Sequence, residues 1–174
     1  MASYIFYGYE LYIMKIIFLD IDGVINTVKS VSNPRVQPEG FTANLYGVSK
    51  LDPDCVARLN KITNATGAKM VISSSWRILF DDIELLAKYL HSEGVTGEII
   101  GRTPRFAKSY VRGEMTYGRG LEIQEWLSGQ VGIESIVILD DDSDMLHLSP
   151  FLIKTGWQNG LEDHHVDAAI EMLK

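Results

Sequence analysis

Three clusters of polar side chains each follow a short apolar run. Asp20 and Asp22 stand two apart in FLDIDGV, Ser73, Ser74, Ser75 and Arg77 follow in ISSSWR, and Asp140, Asp141, Asp142 and Asp144 in ILDDDSD. Extended backbone has period two, so Asp20 and Asp22 are expected on one side of the chain. Gly23 permits the sharp turn that must come next. Carboxylates gathered in one place repel each other unless a cation or a proton intervenes. Ligands that are all oxygen favour magnesium over zinc. A hard dication would neutralise the cluster and also hold a phosphate oxygen, and one Asp could then attack phosphorus. A second could protonate the leaving oxygen and later activate water. Serine hydroxyls and an arginine suit the remaining phosphoryl oxygens.

Each cluster alone has a blander explanation. Asp-x-Asp-Gly also occurs in turns and calcium-type loops, Ser-Ser-Ser in solvated loops, and triple Asp in helix caps. The joint pattern is more specific, because all three follow buried-type runs in the order carboxylates, hydroxyls, carboxylates.

The elements that would carry these clusters are legible. KIIFLD (15–20), KMVIS (69–73) and SIVIL (135–139) read as strands covered on both faces, and 151–154 as a fourth. Asp52-Pro53 opens a helix with Val56, Leu59 and Ile62 inward, closed by Gly67. Further helices are expected over 81–92, with Ile83, Leu86 and Leu90 inward, over 121–127, and over 163–173, with Val166, Ala169, Ile170 and Leu173 on one face. Residues 96–118 read as irregular. Alternating strands and helices imply an α/β fold with a doubly wound parallel sheet, whose strand C-termini share the ligand-binding edge.

A chain of 174 residues with 46% apolar and 22% charged residues fits one globular domain. Its net charge of −7 argues against a general nucleic-acid coat or an anionic-membrane binder. Cys55 is the only cysteine, so no intrachain disulfide forms, and a buried position in a reducing cytoplasm is expected. No apolar run reaches membrane-spanning length, and the aromatic first thirteen residues lack the marks of a signal peptide. MKIIFLD reads like a natural start, so residues 1–13 are expected to be an N-terminal extension and 14–174 the domain.

FLDIDGVIN, ISSSWR and ILDDD resemble the first, second and fourth motifs of the haloacid dehalogenase (HAD) superfamily, and Arg119 in YGRGLEIQEWL fits the third. SSSWR, IGRTP, RGLEIQEWL and ILDDDSDM together are similar to the small HAD domains associated with nucleic-acid (RNA) repair proteins. The resemblance covers Met14 to about Leu173 and implies a Rossmann-like phosphatase that uses Mg2+. It implies Asp20 as nucleophile and metal ligand, and Asp22 as general acid/base with its backbone carbonyl on the metal. Asp141 would be the third protein ligand, Asp140 its support, and Arg119 the residue that stabilises a phosphoaspartate. The phosphate-binding hydroxyl is Ser73 or Ser74. Haloalkanoic-acid dehalogenases typically lack the second Asp of the first motif, so Asp22 favours phosphate chemistry.

The only spare segments, 26–50 and 95–118, have loop length, and the resemblance then implies a capless enzyme with an open site. Residues 101–120 hold Arg102, Arg105, Lys108, Arg112 and Arg119 against Glu114 alone, with Phe106, Tyr110 and Tyr117 interleaved. Such a segment suits a nucleic-acid end, and equally a loop that pairs with the protein's own acidic surface. The expected partner is a phosphorylated substrate, a nucleic-acid end or a nucleotide, with no membrane. Trp76 either stacks on a substrate or packs beside the site, and the four histidines form no metal-binding spacing. The runner-up function is a receiver-like phosphoacceptor module, which the serines after the second strand disfavour. A catalytically idle binding domain finds no support, since Asp20, Asp22, Asp141 and Arg119 are all present.

Overall fold

The computed structural model describes residues 3–6, 9–42, 47–106, 110–111, 114–115 and 118–174. Strands β1 (Ser3–Phe6) and β2 (Tyr9–Tyr12) pair antiparallel as a separate two-stranded sheet. The main sheet starts with β3 (Met14–Leu19), in which Ile16, Ile17, Phe18 and Leu19 are all fully buried. Alternate residues of a strand face opposite sides, so this unbroken apolar run requires a cover on both faces.

A one-turn helix, α1 (Val28–Val31), follows the first acidic cluster, where the sequence reading had only a loop. Helix α2 (Pro53–Thr66) has the expected ends. The Asp52 carboxylate accepts from the Asp54 N–H, Pro53 stands in the first turn, and Gly67 closes the helix in the left-handed region. Strand β4 (Lys69–Ile72) leads into a 3-10 turn over Ser75–Ile78, and helix α3 (Ile83–Ser92) buries Leu86, Tyr89 and Leu90.

The segment read as irregular contains β5 (Ile99–Arg102), a full member of the main sheet. Its residues are half-buried or exposed, as suits a sheet edge, and IIGR is too short and too mixed to announce itself as a buried strand. Two-residue strands β6 (Tyr110–Val111) and β7 (Glu114–Met115) form a small hairpin. Helix α4 (Arg119–Ser128), strand β8 (Ile133–Asp140), a 3-10 segment over Leu146–Phe151, strand β9 (Leu152–Lys154) and helix α5 (Asp163–Met172) complete the chain.

The five main strands are all parallel, in the order β5-β4-β3-β8-β9. One face packs on α2, α3 and α5 through Leu59, Ile62, Leu86, Leu90, Val166 and Ala169, and the other on α4 and the 3-10 segment through Ile123, Met145 and Leu148. The expected doubly wound sheet is therefore present. Numbered by chain order within this sheet, the strands run 3-2-1-4-5, whereas receiver domains run 2-1-3-4-5. The strand order disfavours the receiver-like reading independently of the serines. The order reverses between β3 and β8, and the crevice at their C-terminal ends is where such folds bind ligands. Apart from α1, β5 and the small hairpin, the described parts of 26–50 and 95–118 hold only isolated bridges, with no second domain. Among the described residues, no helix is long and apolar enough to cross a membrane.

Candidate active site

Asp20 follows β3 and Asp140 ends β8, so the reversal of strand order brings them together. Carboxylate oxygens of Asp20, Asp140 and Asp141 lie within 4.8 Å of one another. Asp20 and Asp140 are almost fully buried. Burial first, and then the neighbouring Asp140, pushes the Asp20 carboxyl up to about 8, although Arg119 and a hydrogen bond from the Ser74 hydroxyl oppose this. Burial likewise raises Asp140 to about 6 and Asp141 in direction.

The local backbone accounts for the convergence. Gly23 has φ +74°, and a Cβ there would collide with the Asp141 side chain, so glycine both makes the turn and admits that carboxylate. Thr155 Oγ1 donates to the Gly23 carbonyl at 2.7 Å, and the Asp142 N–H donates to Asp140 Oδ1 at 2.9 Å.

The other oxygen of Asp140, Oδ2, is buried without a hydrogen-bond partner among the described residues. Arg119 faces both acids, with its Nε 3.6 Å from that atom and its Nη2 3.8 Å from Asp20 Oδ1. The start of α4 sets this position. Asp144 Oδ2 accepts from the Arg119 N–H at 2.8 Å. A Cβ on Gly118 would lie 2.8 Å from the Asp144 carbonyl oxygen, and one on Gly120 would collide with Met145. The glycines flanking Arg119 thus let the helix end sit directly on the loop after β8.

A cation fits this arrangement. Three carboxylates converge, one buried oxygen lacks a hydrogen bond among the described residues, and all three acids are held above their ordinary range, by burial first and by their acidic neighbours. The donors are all oxygen, as magnesium prefers.

The Asp22 carboxylate stands outside this trio. Its Oδ1 accepts from Asn26 Nδ2 at 2.6 Å and its Oδ2 from Trp76 Nε1 at 2.9 Å. Asn26 is held in turn by the Ser30 hydroxyl, which donates to Asn26 Oδ1 at 2.6 Å. Trp76 is 4% exposed, so it packs beside the site as well as orienting an acid. Neither partner was legible from spacing. Asn26 lies in the turn after the first motif, and Trp76 is fifty-four residues from Asp22.

Ser73 and Ser74 are both fully buried. Ser74 bonds Asp20 and also accepts from the Trp76 N–H, while Ser73 Oγ has no hydrogen-bond partner among the described residues.

Arg77, which closes the serine cluster, is turned into the fold. Its guanidinium is buried and forms an ion pair with the buried Glu122 of α4, and it donates to the carbonyls of Ser74, at 2.6 Å, and Pro104. Glu122 also accepts from the Phe106 N–H at 3.0 Å. Arg77 therefore ties the serine loop to the helix that carries Arg119. Glu122 gave no signal in the sequence, because a Glu in a helix's first turn is ordinarily solvated.

Of the basic segment, Arg102 and Arg105 are exposed and Phe106 is 37% exposed. Arg102 Nη1 donates to the Arg77 carbonyl at 2.6 Å. Lys108, Arg112 and Tyr117 lie outside the described residues. Cys55 is buried, as expected, and His165 is nearly so, with its Nδ1 accepting from the Glu162 N–H at the start of α5.

A family model described as the HAD domain in Swiss Army Knife RNA repair proteins matches residues 16–166. No curated protein matches the chain.

Proposed function

The chain belongs to the family of HAD domains found in Swiss Army Knife RNA repair proteins, and on that premise we propose that it hydrolyses phosphomonoesters through a phosphoaspartate on Asp20. The observation that carries this reading is the meeting of Asp20, Asp140, Asp141 and Arg119 at the reversal of strand order, with Asp22 held apart by its own donors. The reactive unit is residues 14–174, with 1–13 as an extension to it. A buried single cysteine suits a cytoplasmic setting.

Asp20, Asp140 and Asp141, with the Asp22 carbonyl, would hold Mg2+. Bound there, it supplies charge neutralisation between the attacking carboxylate and the incoming phosphate. In the first step an Asp20 oxygen bonds to phosphorus, the ester bond to the leaving oxygen breaks, and Asp22 gives that oxygen its proton. In the second step Asp22 takes a proton from water as the water oxygen bonds to phosphorus. The Asp20–phosphorus bond breaks and inorganic phosphate leaves. The Ser74 hydroxyl, already against Asp20, and Arg119 hold phosphoryl oxygens through both steps. Ser73 is the second hydroxyl in reach, through its unpartnered Oγ.

The family's association with RNA repair and the open edge favour the phosphate-bearing end of a nucleic acid, or a nucleotide, as substrate. The test is a phosphatase assay with magnesium on aryl phosphate, nucleotides and end-phosphorylated oligonucleotides. Asp20→Asn should reduce turnover to background while the protein stays folded. Asp22→Asn should lower turnover by roughly 10²–10⁴-fold, the usual worth of proton transfer. Near wild-type activity of Asp20→Asn would exclude the covalent route.

A further inference from the structure

A general acid must reach the ester oxygen it protonates, so the group attached to that oxygen lies against Asp22. A hollow of about 410 Å³ opens there, lined by Asp22 itself, Val31, Arg35, Trp76, Leu79 and Trp157. A second hollow, of about 420 Å³, lies beside Arg102 and Arg105 and touches none of the catalytic carboxylates. The leaving group therefore belongs to the first.

The chemistry of that wall is specific. Val31, Leu79 and Trp76 make an apolar side, and Trp157 lines it while 40% exposed, an unusual position for the largest apolar side chain. Single-stranded nucleic acids are held by such rings, because every base has a face to stack. Arg35, also exposed, stands at the same hollow. Its Nη1 donates to the Gly47 carbonyl at 3.3 Å, and a guanidinium carries five N–H donors. The planar fork suits the two free oxygens of a phosphodiester.

We propose that this hollow is the leaving-group subsite, in which the terminal base of a phosphate-bearing nucleic-acid end stacks on Trp157 while Arg35 holds the next phosphate along the strand. The inference rests on the phosphatase reading above and adds where the substrate lies. It assigns recognition to the Asp22 side of the site and gives the basic segment 101–120 no part in holding the terminal nucleoside.

Three substrates separate the contributions, each assayed with magnesium: a dinucleotide with a terminal phosphate, the corresponding mononucleotide, and acetyl phosphate, which has no base. Trp157→Ala should lose about tenfold more kcat/KM on both nucleotides than on acetyl phosphate, and Trp157→Phe should recover most of that loss. Arg35→Ala should lose about fivefold more on the dinucleotide than on the mononucleotide, with Arg35→Lys between, since lysine keeps the charge but loses the fork. Melting curves for all four variants should match wild type. Hydrolysis of all three substrates with equal losses in every variant would overturn the subsite alone. Failure of the wild-type protein to hydrolyse any of them would overturn the phosphatase reading, and the subsite with it.

Discussion

Two groups of charges, one wholly buried and one buried at Asp20 and Asp140, lie at the same edge of the sheet and are built in opposite ways. Arg77 and Glu122 are 3% and 0% exposed at their side chains, and they neutralise each other. Backbone groups of Ser74, Pro104 and Phe106 take up further donors and acceptors of the pair. Asp20, Asp140 and Asp141 bring three acids together, with the Arg119 guanidinium 3.8 Å from Asp20 and 3.6 Å from Asp140, and among the described residues Asp140 Oδ2 is left without a hydrogen bond. The first group is complete within the fold and does mechanical work. It locks the serine loop to the helix bearing Arg119. The second is incomplete, and its deficit has the sign and the hardness of a divalent cation. The two groups therefore differ in whether the protein finishes the neutralisation itself.

The largest stability effect should come from breaking the complete group. Glu122→Ala leaves a buried guanidinium without its partner and should cost about 3–5 kcal/mol, or a drop of about 6–20 °C in Tm for a chain of this size. The double variant Arg77→Met/Glu122→Leu should regain most of that loss. A single variant that melts like wild type would remove the contrast.

The incomplete group should respond to metal and pH instead. Burial holds the folded Asp20 at about 8, against 3.8 as the ordinary value. The unfolded chain then gives up this proton first, so metal-free stability should fall as pH rises from about 5 to 8. Magnesium bound at the trio would replace the proton as the neutralising charge and should abolish that slope. At a hundredfold excess over Kd it should add about 2.7 kcal/mol, roughly 5–11 °C in Tm. Asp140→Asn should weaken the gain. Thermal melts at the two pH values, with magnesium and with chelator, measure both effects. A melting temperature indifferent to metal and to pH would mean that the trio is satisfied as it stands.

The smallest effect concerns Asp22, which belongs to neither group. Trp76→Phe keeps one ring and deletes the 2.9 Å donor to Asp22 Oδ2, at some loss of packing in this buried position. We expect kcat to fall roughly tenfold, about 1.4 kcal/mol, with KM for a small ester nearly unchanged and the protein still folded. A fall confined to KM would make Trp76 a binding residue and not one that positions the acid.

Much of the fold followed from pattern. The runs KIIFLD, KMVIS and SIVIL are apolar at every position that two covered faces require, and they became β3, β4 and β8. Asp52, Pro53 and Gly67 marked the ends of α2 because capping is a local matter of one side chain and a few backbone groups. Edge strand β5 escaped because one face and one edge of it meet little, so no periodicity is imposed on it. One-turn helix α1 was too short to carry a helical period.

The sequence by itself determined which chemistry was on offer. Asp20, Asp22, Ser73, Ser74, Asp140 and Asp141 stood out as candidates because three polar clusters directly follow buried strands, at the ligand-binding edge of such a sheet, whereas Arg119 was singled out only by the resemblance to the third motif. Only the tertiary structure decided which of these polar groups are spent on the fold. It turned Arg77 inward to Glu122, gave Asp22 the donors Asn26 and Trp76, and set Arg119 between two acids through a cap from Asp144. Except for Asn26 with Asp22, the hydrogen-bonded pairs among these join residues 25 to 54 apart. They depend on where the strands cross over and not on local spacing, so no short motif announces them.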